Sequence, residues 1–430
     1  MLYMGICSAY KKCYFKFLNS FIKGAIKMEI DAVTTLCLAC LLFLLGEFVV
    51  KHVSFLQRIC IPPPVIGGLL FAILVAVLDT LNIIQIKLDA SFIQDFFMMV
   101  FFTTIGLGAS FKLFKIGGKV LILYFVCCAF LAICQNFIGI SLAKVLHIKP
   151  LLGLTAGSMS MEGGHGNAAA YGKTLEESFN IDSAITAALA AATLGLVFGG
   201  LIGGPLVKAL IKRYNLKPEN SDDSFKDYSK VESNEVLHRK YQPTQVFFIQ
   251  LTIIALCMSV GTWIGDQFSN LTGQSLPMYV GSMFVAVAIR NVSEYANIQL
   301  IDLKLNDQIG DVALGLFLSL ALMSIQLTQV YSLALPLIAI VLVQVVFISL
   351  FAFFILFRVL GKDYDAAVMA GGFIGHGLGA TPNAMANLDV ITKKYGSSPK
   401  SYLVVPIVGA FLIDLAGVPI VMGFMNIFGN

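Results

Sequence analysis

Apolar runs of about 20 residues recur along almost the whole chain, and each is long enough to cross roughly 30 Å of hydrocarbon as a helix. Between charged or Gly/Pro-marked breaks they lie near 32–50, 63–80, 93–110, 118–146 and 183–211, then near 246–265, 276–290, 308–327, 332–360 and 401–427. A chain of 430 residues could form two soluble domains, but 58% hydrophobic and 13% charged residues with a mean hydropathy of +0.85 cannot clothe a solvated surface. The composition predicts an all-α polytopic membrane protein, and the alternating segments of a membrane barrel are missing. A formal charge of +4, small and spread over loops, argues membrane orientation rather than nucleic-acid binding, and no nucleic-acid partner is expected. The nine cysteines have no paired loop spacing; Cys37, Cys40, Cys127 and Cys128 fall inside apolar runs as small packing residues, so no disulfide or transition-metal site is expected.

The two halves match in detail. "PPPVIGGLLFA" (Pro62 to Ala72) lies over "LPMYVGSMFVA" (Leu276 to Ala286), pairing Pro63 with Pro277 and Gly67 with Gly281, each 214 residues apart. The same offset pairs Lys144–Leu146 with Arg358–Leu360, Ala156-Gly157 with Ala370-Gly371, Gly195 with Gly409 and Pro205 with Pro419. A register held over this length, prolines included, is the mark of a duplication. Residues 28–211 form the first expected repeat and 243–430 the second. Residues 212–242, of mixed charge and no apolar period, form the linker. Residues 1–27 read as a basic N-terminal extension carrying Lys11, Lys12, Lys16, Lys23 and Lys27, without the apolar core of a signal peptide; Met28 is an alternative natural start.

Between the fourth and fifth span of each half sits a Gly-rich stretch, 153–172 and 367–388, too broken by glycine and polar side chains for a lipid-facing helix. If these stretches re-enter without crossing, each repeat crosses five times and the second must be inverted relative to the first. Loop charge agrees. Lys51 and Arg58 follow the first span and Lys112, Lys115 and Lys119 the third, whereas the matching places in the second half hold only Asp266 and a charge-free "LTQVYSL". Lys393, Lys394 and Lys400 follow the second Gly-rich stretch, where the first has Glu176, Glu177 and Asp182 after Lys173. Both termini then lie outside and the linker is cytoplasmic.

Non-helical backbone at membrane depth persists only where protein or a water-filled cavity supplies its hydrogen bonds, so two broken stretches in inverted repeats mark a binding site. The first offers "GGHGN" (Gly163 to Asn167) and the second "GGFIGHGLGATPNAMANL" (Gly371 to Leu388), with Thr381 suited to a helix cap and Pro382 to a first turn. Exposed peptide N–H groups at half-helix N-termini attract carboxylates, and unwound carbonyls attract sodium. His165 and His376 read as braces for the loops, and Gly199, Gly200, Gly203 and Gly204 as a helix-packing face. Asp414, a carboxylate inside an apolar span, should face a cavity, where sodium or a substrate amino group would suit it.

Together "SMSMEGGHGNAAAYG", "GLVFGGLIGGP", "GKDYDAAVMAGGFIGHGLGATPNAMANL" and "VVPIVGAFLID" resemble the bacterial sodium/glutamate symporter family, from about Met28 to the C-terminus. The resemblance implies two inverted five-span repeats, each with a re-entrant hairpin before its last helix, and import of glutamate with sodium across the cytoplasmic (inner) membrane by a homodimer. Carried over by position, it implies substrate contacts at Gly163, Gly164, His165, Gly166, Asn167, Gly375, Gly377, Gly379, Ala380, Thr381 and Asn383, and sodium contacts at Ser158, Ser160, Glu162, Asn387 and Asp414. Glu162 stands where the family pattern would carry a small or hydroxyl residue.

No P-loop pattern is present, so an existing ion gradient must supply the energy; sodium is the expected coupling ion and no cofactor is expected. A sodium- or proton-coupled carrier of citrate- or malate-like acids differs only in whether an amino group is recognised. An intramembrane enzyme using Glu162 and His165, three residues apart, lacks a nucleophile with a positioned partner and leaves the duplication unexplained.

Overall fold

The structure is a computed structural model that describes residues 26–54, 56, 61–81, 83–218, 242–272, 277–296, 298, 300–324 and 333–429. Most of the expected basic extension and residues 219–241 of the expected linker lie outside the described residues. Helices dominate. The first half contains α1 (Ala32–His52), α2 (Pro63–Thr80), α3 (Ser91–Gly108), α4 (Lys112–Val145), α5 (Pro150–Leu154), α6 (Ser158–Met161), α7 (Gly164–Phe179) and α8 (Ala184–Tyr214). The second contains α9 (Pro243–Thr272), α10 (Met278–Tyr295), α11 (Leu303–Met323), α12 (Ala334–Phe351), α13 (Phe357–Val359), α14 (Tyr364–Gly377), α15 (Thr381–Tyr395), α16 (Pro399–Ile407) and α17 (Ile413–Phe428). Single π-helical turns, Ala352–Leu356 and Val408–Leu412, join α12 to α13 and α16 to α17.

The helix starts follow local chemistry. Asp31 Oδ1 accepts from the N–H groups of Val33 and Thr34, Asp302 Oδ1 from Leu305 N–H and Asp363 Oδ1 from Ala366 N–H, satisfying first-turn donors that helix bonding leaves free. Prolines open α2, α5 and α16, where a missing N–H costs nothing. Gly118, with φ +59°, interrupts α4, so the apolar segment begins there. Eight helices among the described residues are long and apolar enough to cross a membrane. The other two expected spans are also helical: α10 carries Arg290 and Glu294, paired at 2.5 Å, and the last is divided by its π turn.

One feature was not read in the sequence. Ile26–Ile30 (β1) pairs in parallel with Ile84–Leu88 (β2), where apolar Ile84, Ile86 and Leu88 alternate with Gln85 and Lys87. Strands of five residues are too short to stand out against helical runs.

Packing divides the helices into two bodies. In the first, α1, α2 and α11 pack together, as do α3, α9, α10 and α11. Gly67 sits against the Leu42 carbonyl, and Gly281 against that of Gly261, so backbones approach closely in both halves. In the second body, α4 and α12 flank the two broken stretches, α5 to α7 and α14 to α15, and α8 and α17 pack beside them. The largest buried cluster belongs mainly to this second body, running from Leu121 and Tyr124 through Tyr171, Leu196, Phe373 and Leu388 to Val421.

Candidate functional site

Both Gly-rich stretches are runs of short helices within the second body. The first runs α5, α6, α7 and breaks at Glu162-Gly163; the second runs α14, α15 and breaks over Leu378–Ala380. Their tips meet. A Cβ placed on Gly164 would lie 3.0 Å from the carbonyl oxygen of Gly379 and 3.3 Å from Ala380 Cβ. Gly164 also holds φ at +62°, a left-handed geometry that glycine adopts without the usual side-chain clash. α7 begins at Gly164 and α15 at Thr381, so the N-terminal ends of a 16-residue and a 15-residue helix converge there. Such ends carry partial positive charge on free N–H groups.

The second stretch is fastened to α8 by amides. Asn383 Nδ2 donates to the Leu196 carbonyl at 3.1 Å, and Asn387 Nδ2 donates to the carbonyls of Gly199 and Gly371, each at 3.1 Å. These side chains fit because α8 presents Gly195, Gly199 and Gly203 at four-residue intervals: a Cβ on Gly199 would lie 2.7 Å from Asn383 Nδ2, and one on Gly203 would overlap the Asn387 amide. From the opposite side, Gln135 Nε2 donates to the Gly377 carbonyl at 2.8 Å, and Gln344 Nε2 to those of Gln135 and Ala156 at 2.7 and 3.2 Å. Asn136 Oδ1 accepts from both the N–H and the hydroxyl of Ser158, at 2.8 and 3.0 Å, which fixes the start of α6. His165 Nε2 lies 3.0 Å from Thr193 Oγ1, whose own hydroxyl donates to Leu189, so the ring braces α7 on α8.

Behind the first tip lies a small cavity lined by Ser158, Glu162, Gly163, Asn167, Tyr171 and Asp414, with apolar side chains completing it. About 10 Å³ is open to the centre of a water-sized sphere. Asn167 Nδ2 donates to Asp414 Oδ1 at 2.6 Å, while Asn167 Oδ1 and both carboxylate oxygens of Glu162 are buried without a hydrogen-bond partner among the described residues. Asp414 follows the π turn Val408–Leu412; an inserted turn of this kind shifts the helix's facing and is frequent at functional sites.

α7 also meets the first body. Lys173 Nζ lies 2.5 Å from Asp95 Oδ1 on α3 and 3.6 Å from Glu177 Oε1. Tyr171 and Tyr279 of α10 face each other edge-on, and Gly166 lies against Phe101 and Leu314.

The family model for the sodium/glutamate symporter matches residues 28–397. Over 387 residues the chain is 40% identical to a sodium/glutamate symporter of Escherichia coli (strain K12), covering 90% of this chain and 95% of that one. A sodium/glutamate symporter of Haemophilus influenzae is 38% identical over 382 residues, covering 89% and 94% respectively. The chain belongs to the sodium/glutamate symporter family.

Within this sodium/glutamate symporter family member, the expected site residues separate by place. Gly163, Gly164, His165, Gly166 and Asn167 lie at or just behind the first tip, and Gly379, Ala380 and Thr381 at the second. Thr381 is the first helical residue, and Ala380 holds the cap position with no side-chain bond; Pro382 lies in the first turn as expected. Gly375 and Gly377 lie inside α14, packed respectively on Ala384 and on Ile348 with Leu131. Ser158, Glu162 and Asp414 share the cavity, whereas Ser160 does not line it and Asn387 is bound to α8. His376 is buried, with Nε2 3.5 Å from Cys128 Sγ. Gln135, Asn136, Gln344 and the Lys173–Asp95 pair were missed. An amide or carboxylate inside an apolar run is costly to bury without a partner, and that signal was present at "ICQNF" and "VLVQVV".

Proposed function

We propose that the chain imports glutamate together with sodium across the bacterial cytoplasmic membrane by alternating access. The observation that carries this reading is the meeting of two broken stretches, Gly164 against Gly379 and Ala380, with a helix N-terminus at each tip. In this reading residues 28–211 and 243–430 are inverted five-span repeats joined by the cytoplasmic linker 212–242. The stretches 153–172 and 367–388 are re-entrant, both termini lie outside, and the protein works as a homodimer.

Neither tip carries Arg or Lys, so the substrate carboxylates are held by peptide N–H groups and helix ends, with Asn167, Thr381 and Asn383 nearby. The oxygens of Ser158, Ser160, Glu162 and Asp414 are the candidates for sodium. The intramembrane-enzyme reading has no comparable support, because His165 is engaged with Thr193 while Glu162 faces the cavity shared with Asp414.

Reconstitution of the purified protein into liposomes tests the proposal. An inward sodium gradient should drive labelled glutamate uptake and glutamate counterflow. Uptake indifferent to sodium at fixed pH would overturn it.

A further inference from the structure

We propose that the Lys173–Asp95 ion pair is a latch that holds the second body on the first while the substrate site is closed to the outside, and that it opens and recloses once in each transport cycle. The inference rests on the alternating-access reading and deepens it by naming a contact that must part.

Position is the first argument. Gly166, Lys173, Thr174 and Glu177 share one face of α7 by their helical spacing. Along that face Gly166 lies against Phe101 and Leu314, Lys173 Nζ reaches Asp95, and Thr174 Oγ1 stands 3.4 Å from Tyr279 Oη. One helix of the second body therefore meets α3, α10 and α11 of the first. Lys173 is nine residues beyond Gly164, so the pair lies roughly 14 Å along α7 from the tip. α3 runs from Ser91 to Gly108, and its far end leads into the loop 112–119, which is cytoplasmic in the proposed orientation. Asp95, near the start of α3, then lies toward the outside, and the latch stands between the tips and that side.

The two broken stretches differ in their footing. α14 and α15 pack chiefly on α8, α12, α13 and α16, all in the second body, whereas α7 is seated on the first.

Reversibility is the third argument. Inside the first body helices approach backbone to backbone, as at Gly67 and Gly281. Across the α7 face the polar contacts are between side chains: the ion pair, the Thr174 and Tyr279 hydroxyls, and the Tyr171 and Tyr279 rings with centroids 6.1 Å apart. Contacts of this kind can part and re-form while the helices stay intact, as in sliding between packed elements. Lys173 is 8% exposed, and a buried charge stripped of its partner is costly. Glu177 meets that cost. Its Oε1 lies 3.6 Å from the same Nζ, it is 64% exposed, and, four residues on, it travels with α7. When Asp95 is drawn away, the lysine stays paired with Glu177.

Accessibility tests the latch. Thr174→Cys is the reporter, because that side chain is 6% exposed while the bodies are together. Its reaction with an impermeant maleimide is measured in right-side-out membrane vesicles free of sodium and glutamate, against the same variants without the reporter. Asp95→Asn is expected to raise the labelling rate at least about fivefold, Asp95→Glu to restore it, and Glu177→Gln to lower it at least about threefold. Lys173→Gln replaces Asp95→Asn if that variant does not fold. A pair that only supports the fold would move labelling in the same direction for Asp95→Asn and Glu177→Gln, or not at all, and either result overturns the latch. Labelling that rises only from the inner side, in inverted vesicles, overturns its outer placement. In a second arm, cysteines at 95 and 173 are joined by a short reducible thiol crosslinker. Uptake should be lost on joining and regained on reduction; uptake that persists through the join overturns the proposal. The labelling arm contains neither sodium nor glutamate, so its failure is distinct from sodium-independent uptake in liposomes, which would overturn the symport reading itself.

Discussion

Gly164 combines two demands that no other residue type meets together: φ of +62° and a neighbouring carbonyl, Gly379 O, 3.0 Å from where a Cβ would stand. A left-handed backbone costs a side-chain-bearing residue roughly 1–2 kcal/mol, and the contact adds to that. Gly164→Ala is expected to insert and purify normally while glutamate uptake falls more than about tenfold. Gly377 is a different kind of glycine, since its missing side chain is replaced by Ile348 and Leu131. Gly377→Val should therefore reduce the yield of monodisperse protein, and uptake per folded molecule much less. Measuring yield and uptake on the same preparations separates the two cases; equal behaviour of the two variants would remove the distinction between tip and packing glycine.

At the scale of elements, the join between α8 and the second broken stretch depends on Asn383 and Asn387, whose amides reach backbone carbonyls through a row of glycines. Truncating Asn387 to Ala leaves the buried carbonyls of Gly199 and Gly371 without that donor, a loss of about 1–3 kcal/mol that should appear as a lower unfolding temperature. Helix positions were legible in the sequence because apolar run length, Asp and Pro starts and Gly breaks are local signals. Gly199 and Gly203 were readable as a packing face on the same grounds, whereas Gly204 faces open space. The tips of the candidate site were legible as glycine where helix should have continued. What the tips rest on was not. Asn383 was legible as a polar side chain at the second tip, but its partner, the Leu196 carbonyl, lies 187 residues away on another helix and no local pattern announces it. The shared cavity of Glu162 and Asp414 was hidden for the same reason, since a π turn helps decide which way Asp414 faces.

For the whole molecule, the Lys173–Asp95 pair bridges the two bodies with Lys173 only 8% exposed. Removing one partner leaves a buried charge, so Asp95→Asn should destabilise the protein, and adding Lys173→Met should recover part of the loss. A thermal double-mutant cycle reads this coupling. Membrane potential offers a second measurement. With two or more sodium ions per glutamate, net positive charge moves inward, and each charge gains about 2.3 kcal/mol per 100 mV. Uptake should accelerate when the liposome interior is made negative. Cysteines placed in 112–119 and 392–400 should react with an impermeant reagent from the cytoplasmic side only, and labelling from outside would remove the proposed orientation. The glycine row of α8 has a mechanical consequence as well. One wall of that join is nearly bare backbone, so few rotamers are available to take up a displacement. Under the proposed alternating access, displacement of the second tip should therefore be passed directly to α8, a 31-residue helix that carries Pro205 inside and ends at Tyr214.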